Sequence, residues 1–302
     1  MTHGWTRRQV LALGAVTATA ACVGQATPSQ TNGVTTPGSS TPEVGETPTE
    51  PGTTPAASPP ATTSTASTSA PTDQPPLWQP DPNDVSPEAK ATAAQHIQAT
   101  VGPPPAEVID AQYGGILANQ ASVLVVTHQW GGPASAGTTY DVRLDRAGTS
   151  WRVTQVLPSN PGTPSPPSAA ARQVLADPNI ALPPAARADI AAGHVHDSVL
   201  NAMLALARTF RIGVSVVRSG HPSYVFGTSR LSDHPFGRAF DTWRINDHPV
   251  VAAATPRTLI TQYLLAVADT GSYNIGGPFT LPGTPYFTDA THHDHVHAGY
   301  LT

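Results

Sequence analysis

Cysteine is almost missing from this chain: Cys22 is the one residue of its type in 302. That excludes an internal disulfide, and it excludes a zinc site built from several thiolates. Charge is sparse as well. Asp, Glu, Lys and Arg make up 12% of residues, the net charge is −5, and no long basic run occurs. The electrostatic footprint of a nucleic-acid binder is therefore absent, and nucleic acid is excluded as a partner. Aromatics reach only 6%. The apolar run near the start, Val10 to Ala21, is too short to span a bilayer as a mature helix. What is plentiful is proline, with 33 residues, and these averages mix a poor N-terminal part with a richer C-terminal one.

The first 22 residues read as an address. Arg7-Arg8 precede the apolar run, which ends in small residues before Cys22. A charged start, a short apolar core and a small-residue end make a secretory signal. Thr6-Arg7-Arg8-Gln9-Val10-Leu11 resembles a twin-arginine export signal, and Cys22 after Thr19-Ala20-Ala21 resembles a bacterial lipoprotein cleavage site. Lipidation at Cys22 would anchor the chain to the outer face of the cytoplasmic membrane, in the cell envelope. The alternative is simple cleavage after an Ala-x-Ala-like site. Residues 23–83 are mostly Thr, Pro, Ser, Ala and Gly without apolar periodicity, and read as a disordered linker.

Two folded parts follow. Residues 84–159 read as a small α+β accessory domain. Ser86 caps and Pro87 opens a helix through Ile97, Ala121 to Trp130 form a strand, and Thr139 to Leu144 and Ser150 to Leu157 form a hairpin around Asp145 to Gly148. No catalytic constellation stands out there. After a Pro-rich break at 160–167, residues 168–302 read as one α+β domain. Asp197 caps a helix with Val199, Leu200, Met203, Leu206 and Phe210 on one face, and Ile212, Val214 and Val216 alternate as a strand. Ala239 to Ile245 and Pro249 to Ala253 pair across a turn at Asn246-Asp247. Thr255-Pro256 start a helix that stops near Gly271, and His295 to Leu301 form a last strand.

Potential metal ligands concentrate in two clusters of that domain. One is Ser232-Asp233-His234-Pro235-Phe236-Gly237-Arg238-Ala239-Phe240-Asp241, the other His292-His293-Asp294-His295-Val296-His297. Zinc in a thiol-free site takes imidazole nitrogen and carboxylate oxygen, and a catalytic zinc keeps three protein ligands and one open position. His234, Asp241 and one histidine of the second cluster supply that set.

The pattern Ser-x-His-x-x-Gly-x-Ala-x-Asp, carried by Ser232, His234, Gly237, Ala239 and Asp241, resembles the signature of the zinc D-alanyl-D-alanine carboxypeptidase superfamily. That group includes the vancomycin-resistance D,D-peptidases, L-alanyl-D-glutamate endolysins and the Hedgehog-type fold. Five fixed positions over the chain arise by chance on the order of 10⁻⁴. The resemblance covers about residues 200–300. It implies a zinc domain with an antiparallel sheet and flanking helices, and Zn²⁺ held by His234, Asp241 and His297, the last standing three residues after the acid Asp294. It also implies peptidoglycan stem peptides as substrates, and a monomer is expected.

The resemblance gives Asp294 the proton-transfer role, with His295 as rival for it or as an oxyanion stabiliser. It gives Ser232 a substrate or supporting contact. One departure stands out. The family often carries Ser-Gly-Tyr-Arg, whereas this chain reads Ser219-Gly220-His221-Pro222. Arg218, Arg230 or Arg238 would have to replace the missing substrate-binding arginine, and His221, standing where the family has Tyr, is a further expected substrate contact. The expectation is a zinc metallopeptidase of the cell wall, carboxypeptidase or endopeptidase. The alternative is a zinc-containing module that binds peptidoglycan or protein without cutting. A weaker third is an amidase at sugar–peptide junctions.

Overall fold

A computed structural model describes residues 74–302, which fall within one compact unit. The export signal, Cys22 and nearly all of the linker lie outside the described residues. The fold is mixed α+β, with five helices and two sheets among the described residues. None of these helices is long and apolar enough to cross a membrane.

The N-terminal part is a helix on a meander. Helix α1 (Pro87–Thr100) packs on a four-stranded antiparallel sheet in the order β1 (Ala106–Ile116), β2 (Gln120–Gln129), β3 (Thr139–Ala147), β4 (Ser150–Pro158). Ala89, Ala93 and Ile97 repeat every four residues on the buried stripe of α1, where the short alanines let the helix lie close to Val123, Val125 and Val142. Ser86 was expected to cap α1. It instead adopts a left-handed backbone (φ 49°) and makes no side-chain cap, while its carbonyl accepts the Tyr113 hydroxyl at 2.8 Å. Contacts with α1 also begin before residue 84. The Trp78 N–H donates to Gln98 at 3.0 Å and the Gln98 side chain returns a bond to the Pro76 carbonyl, so this segment lies along α1 rather than in the linker.

Strand β2 is buried along nearly its whole length. Its odd residues, Ala121, Val123 and Val125, belong to the α1 core. Its even residues point the other way, toward the C-terminal part. An apolar run without alternation is what burial on both faces produces.

The C-terminal part holds a second sheet in the order β10 (Tyr286–Phe287), β9 (Asn274–Gly276), β11 (Val296–Gly299), β7 (Ala239–Ile245), β6 (Ile212–Val216), β5 (Ile180–Ala181), with β8 (His248–Pro249) added to β7. The centre is antiparallel; the two outer pairs, β5 with β6 and β10 with β9, are parallel. Helices α2 (Ala169–Ala176), α3 (Pro184–Ala191), α4 (Asp197–Ala207) and α5 (Arg257–Asp269) surround it. Met203 and Leu206 of α4 and Tyr263 and Leu264 of α5 bury against Val214, Phe240, Val296 and Ala298 of the sheet. Asp197 lies in the first turn of α4, with His196 at the cap position. The β7–β8 turn carries Asn246 and Asp247 at φ 49° and 66°, the pair of left-handed residues that a two-residue hairpin requires.

Candidate metal centre

Alternation along β7 and β11 builds the site. Phe240 pairs with Ala298 and Thr242 with Val296, and these face the helices; the Thr242 hydroxyl meets the Tyr263 hydroxyl of α5 at 2.8 Å. Between them Asp241 pairs directly with His297. Opposite residues of an antiparallel pair share a face. Asp241 and His297 therefore project together from the side away from the helices.

His234 arrives from a 3-10 turn, His234–Phe236, that ends at Gly237. Gly237 has φ 66°, and a Cβ there would stand 1.9 Å from the His194 carbonyl oxygen. Only glycine fits, which gives the motif glycine its physical reason. Gly237→Ala should cost at least about 2 kcal/mol, from left-handed strain plus the clash with backbone. Thermal melts with and without metal will read it, and a neutral result would mean that the turn reshapes freely.

The geometry at the centre is tight. Nε2 of His234 lies 3.2 Å from Oδ1 of Asp241 and 3.2 Å from Nδ1 of His297, and that Nδ1 lies 2.9 Å from the same Oδ1. Zinc bonds of 2.0–2.2 Å at tetrahedral angles separate neighbouring ligand atoms by roughly 3.3–3.6 Å. The three separations, 2.9–3.2 Å, fall slightly short of that range, so a small outward shift of these side chains would fit them to a small divalent cation. The other nitrogen of His234 meets the Val217 carbonyl at 2.8 Å, which fixes its ring and leaves Nε2 facing the centre. Burial would raise the Asp241 carboxyl, but the charges of His234 and His295 and bonds from His234 and His297 hold it well below its ordinary value. Burial drives the His297 ring down to about 4 against the pull of Asp241, so it is held neutral.

His221 joins this group. Its ring stacks on His234 with centroids 4.0 Å apart, and ligand atoms of His221, His234 and Asp241 all lie within 4.8 Å of one another, a set able to hold a metal ion. Expected among substrate contacts, His221 is equally placed to be a ligand. Ser232, 5% exposed, receives the His234 N–H at 3.4 Å and lies 3.5 Å from His221, which makes it a brace of the turn that also reaches the cavity wall.

His295 and Asp294 occupy different places. Nδ1 of His295 meets Oδ1 of Asp294 at 2.5 Å, and His295 lines the cavity with its Nε2 3.7 Å from Asp241. Asp294 sits in the turn before β11, as its parity demands, but its second oxygen turns away from the centre. It accepts the Lys90 ammonium at 2.7 Å and the Tyr113 N–H at 3.1 Å. Burial would raise this carboxyl; Lys90 and His295 outweigh burial and hold it far below the usual carboxylate range. A carboxylate so held is a poor proton acceptor.

The centre opens into a cavity of about 400 Å³. Ile116 and Leu117 of the N-terminal part, Val225 and Phe226 of the 222–231 loop, and Phe287 form its apolar walls. A Cβ on Gly115 would fall 2.0 Å from that of Phe226, so the bare backbone of β1 is what lets this loop approach. Among the described residues the one Lys or Arg on the wall is Arg230, exposed near the mouth. The other two expected arginines stand elsewhere. Arg218 faces Asp189 at 3.5 Å, and Arg238 pairs with Asp233 at 3.0 Å. His292 also reaches the wall, tied to Asp289 at 2.7 Å.

Sequence reasoning missed Lys90 and Gln112. Lys90 carried one signal: it stands on the buried stripe of an alanine-rich helix, beside Ala89, Ala93 and Ala94. No family model matches this chain, and neither a curated protein nor a solved structure is similar to it.

Proposed function

We propose that the chain is a zinc-dependent peptidase that hydrolyses peptide bonds of cell-wall peptidoglycan. The observation that carries it is the convergence of His234 Nε2, Asp241 Oδ1 and His297 Nδ1 within 2.9–3.2 Å beside an apolar cavity. The motif from Ser232 to Asp241 adds the resemblance to the D,D-peptidase and Hedgehog-type zinc domain. The export signal and Cys22 anchor would set a monomeric enzyme beside its polymer.

His234, Asp241 and His297 would hold the metal. Zinc, when bound, supplies Lewis acidity toward a water and a carbonyl oxygen. The rest falls to the chain. Asp294 accepts the Nδ1–H of His295 and so leaves Nε2 as the atom that takes and returns a proton at the cavity wall. Ile116, Leu117, Val225 and Phe226 exclude water around the bond being cut. Arg230 offers an exposed guanidinium to a substrate carboxylate.

The test is hydrolysis of purified muropeptides by metal-loaded full chain. Product release should stop with a chelator and return with zinc. Product mass separates a carboxypeptidase from an endopeptidase, and a released glycan would mark an amidase. Stem peptides left intact, where a related enzyme cuts them, would remove the peptidase reading.

One observation favours a second reading, a zinc-bearing module that binds without cutting. With His221 as fourth ligand the site would have four protein ligands, and closed four-ligand sites are structural ones. His221→Ala discriminates. In an enzyme it should spare metal binding; in a structural site it should weaken the metal at least tenfold.

A further inference from the structure

We infer that the N-terminal helix and meander are part of the metal centre, with Gln112 of β1 the positioning residue that makes Asp241 a one-oxygen ligand. The inference deepens the metal reading above and rests on it.

Strand β1 is one of the two edges of its sheet. An unpaired edge exposes backbone donors that need partners. Here they are taken by the loop that leads into β11. The Tyr113 N–H donates to Asp294 at 3.1 Å and the Ile116 N–H to the Thr291 hydroxyl at 3.3 Å. The contact continues through α1. The Val85 N–H meets His293 at 2.9 Å, and Lys90 bridges Asp84 and Asp294. The histidine-bearing loop is thus docked on the N-terminal part by backbone and buried charge together.

Gln112 sits at the middle of this seam, 1% exposed. Ala111 and Tyr113 on either side point into the α1 core, so Gln112 points toward the second sheet. Its Nε2 donates to Oδ2 of Asp241 at 2.7 Å, and its Oε1 accepts the Ser215 hydroxyl. The two partners are of opposite kind and fix the amide's orientation. With Oδ2 occupied, Oδ1 of Asp241 is the oxygen left beside His234 and His297. A bond of this kind to a ligand carboxylate sets its direction, and its loss weakens metal affinity by roughly 10–100-fold.

The experiment measures zinc affinity of the full chain by competition with a chromophoric chelator, without substrate. Gln112→Leu should bind zinc 10–100-fold more weakly than wild type, with the metal-free circular dichroism spectrum unchanged. Gln112→Glu keeps the acceptor for Ser215 but turns an oxygen toward Asp241. It should weaken zinc at least as much, and it serves if the leucine variant does not fold. Affinity within twofold of wild type in either folded variant overturns the inference, whatever the muropeptide assay shows. Weaker zinc in these variants, with no muropeptide cleavage by wild type, would sustain the inference and sink the peptidase reading. A wild-type chain that takes up no divalent metal overturns both.

Discussion

His295→Ala should lower the turnover of a cleavable stem peptide by roughly 10²–10⁴-fold, the usual worth of a positioned proton carrier, with zinc affinity retained within about tenfold. Asp294→Asn should fall almost as far, because Asp294 acts through His295. With Nδ1 bonded to Oδ1 at 2.5 Å, the carboxylate selects the tautomer whose Nε2 faces the cavity. An amide in its place can present its N–H₂ to Nδ1 and stabilise the wrong tautomer. The double variant should then be little slower than His295→Ala alone, since residues acting as one unit are not additive. Steady-state rates on one muropeptide, with zinc content measured on the same samples, decide the matter. If His295→Ala retains near wild-type turnover while Asp294→Asn loses it, the carboxylate itself carries the proton and the assignment reverses.

The resemblance alone had left this choice open, and the reason is local. Parity along the chain places Asp294 in the turn before β11. Its direction is set by Lys90 and the Tyr113 N–H, which stand 204 and 181 residues away in sequence and leave no trace in the spacing of the histidines. The meeting of Asp241 and His234 was legible because the whole local device is written in ten residues, with Gly237 at the left-handed position and apolar Phe240 on the face opposite Asp241. The hairpin turn at Asn246-Asp247 was legible for the same reason.

Strand β1 was not legible. Asp110, Gln112 and Gly114 interrupt its apolar alternation, and such residues ordinarily mark a face in water. Here Gln112 meets Asp241, and Gly114 stands close to Pro222. A polar face packed on another sheet cannot be told from a solvated one by pattern alone. Helices α2 and α3 escaped for a different reason: short, alanine-rich segments of eight residues each carry few large apolar side chains to reveal a period.

Lys90→Met should destabilise the protein by about 3–5 kcal/mol, the cost of removing one partner from a buried ion pair. The Lys90 side chain is 3% exposed, and its ammonium contacts Asp84 and Asp294 directly. Burial alone would lower its pKa, but Asp294, Asp84 and Asp110 outweigh burial and keep it charged. The three carboxylates do not share it equally. Burial, reinforced by Asp294 and Asp84, pushes Asp110 up to about 7 against the pull of Lys90. Asp294 lies far lower, so Lys90 serves Asp294 as an ion and Asp110 as a group that is partly protonated near neutrality. Removing the cation strands two buried anions, and methionine fills the space without replacing the charge. The Lys90→Met, Asp294→Asn double variant removes one of those anions. Its loss should therefore be smaller than the sum of the two single losses by about 1–3 kcal/mol of coupling. Denaturant unfolding of the four proteins closes the cycle. Additive losses would mean that Lys90 and Asp294 are merely neighbours. Coupling in that range would mean that folding of the N-terminal helix and placement of Asp294, and with it the His295 ring, depend on the same buried charge.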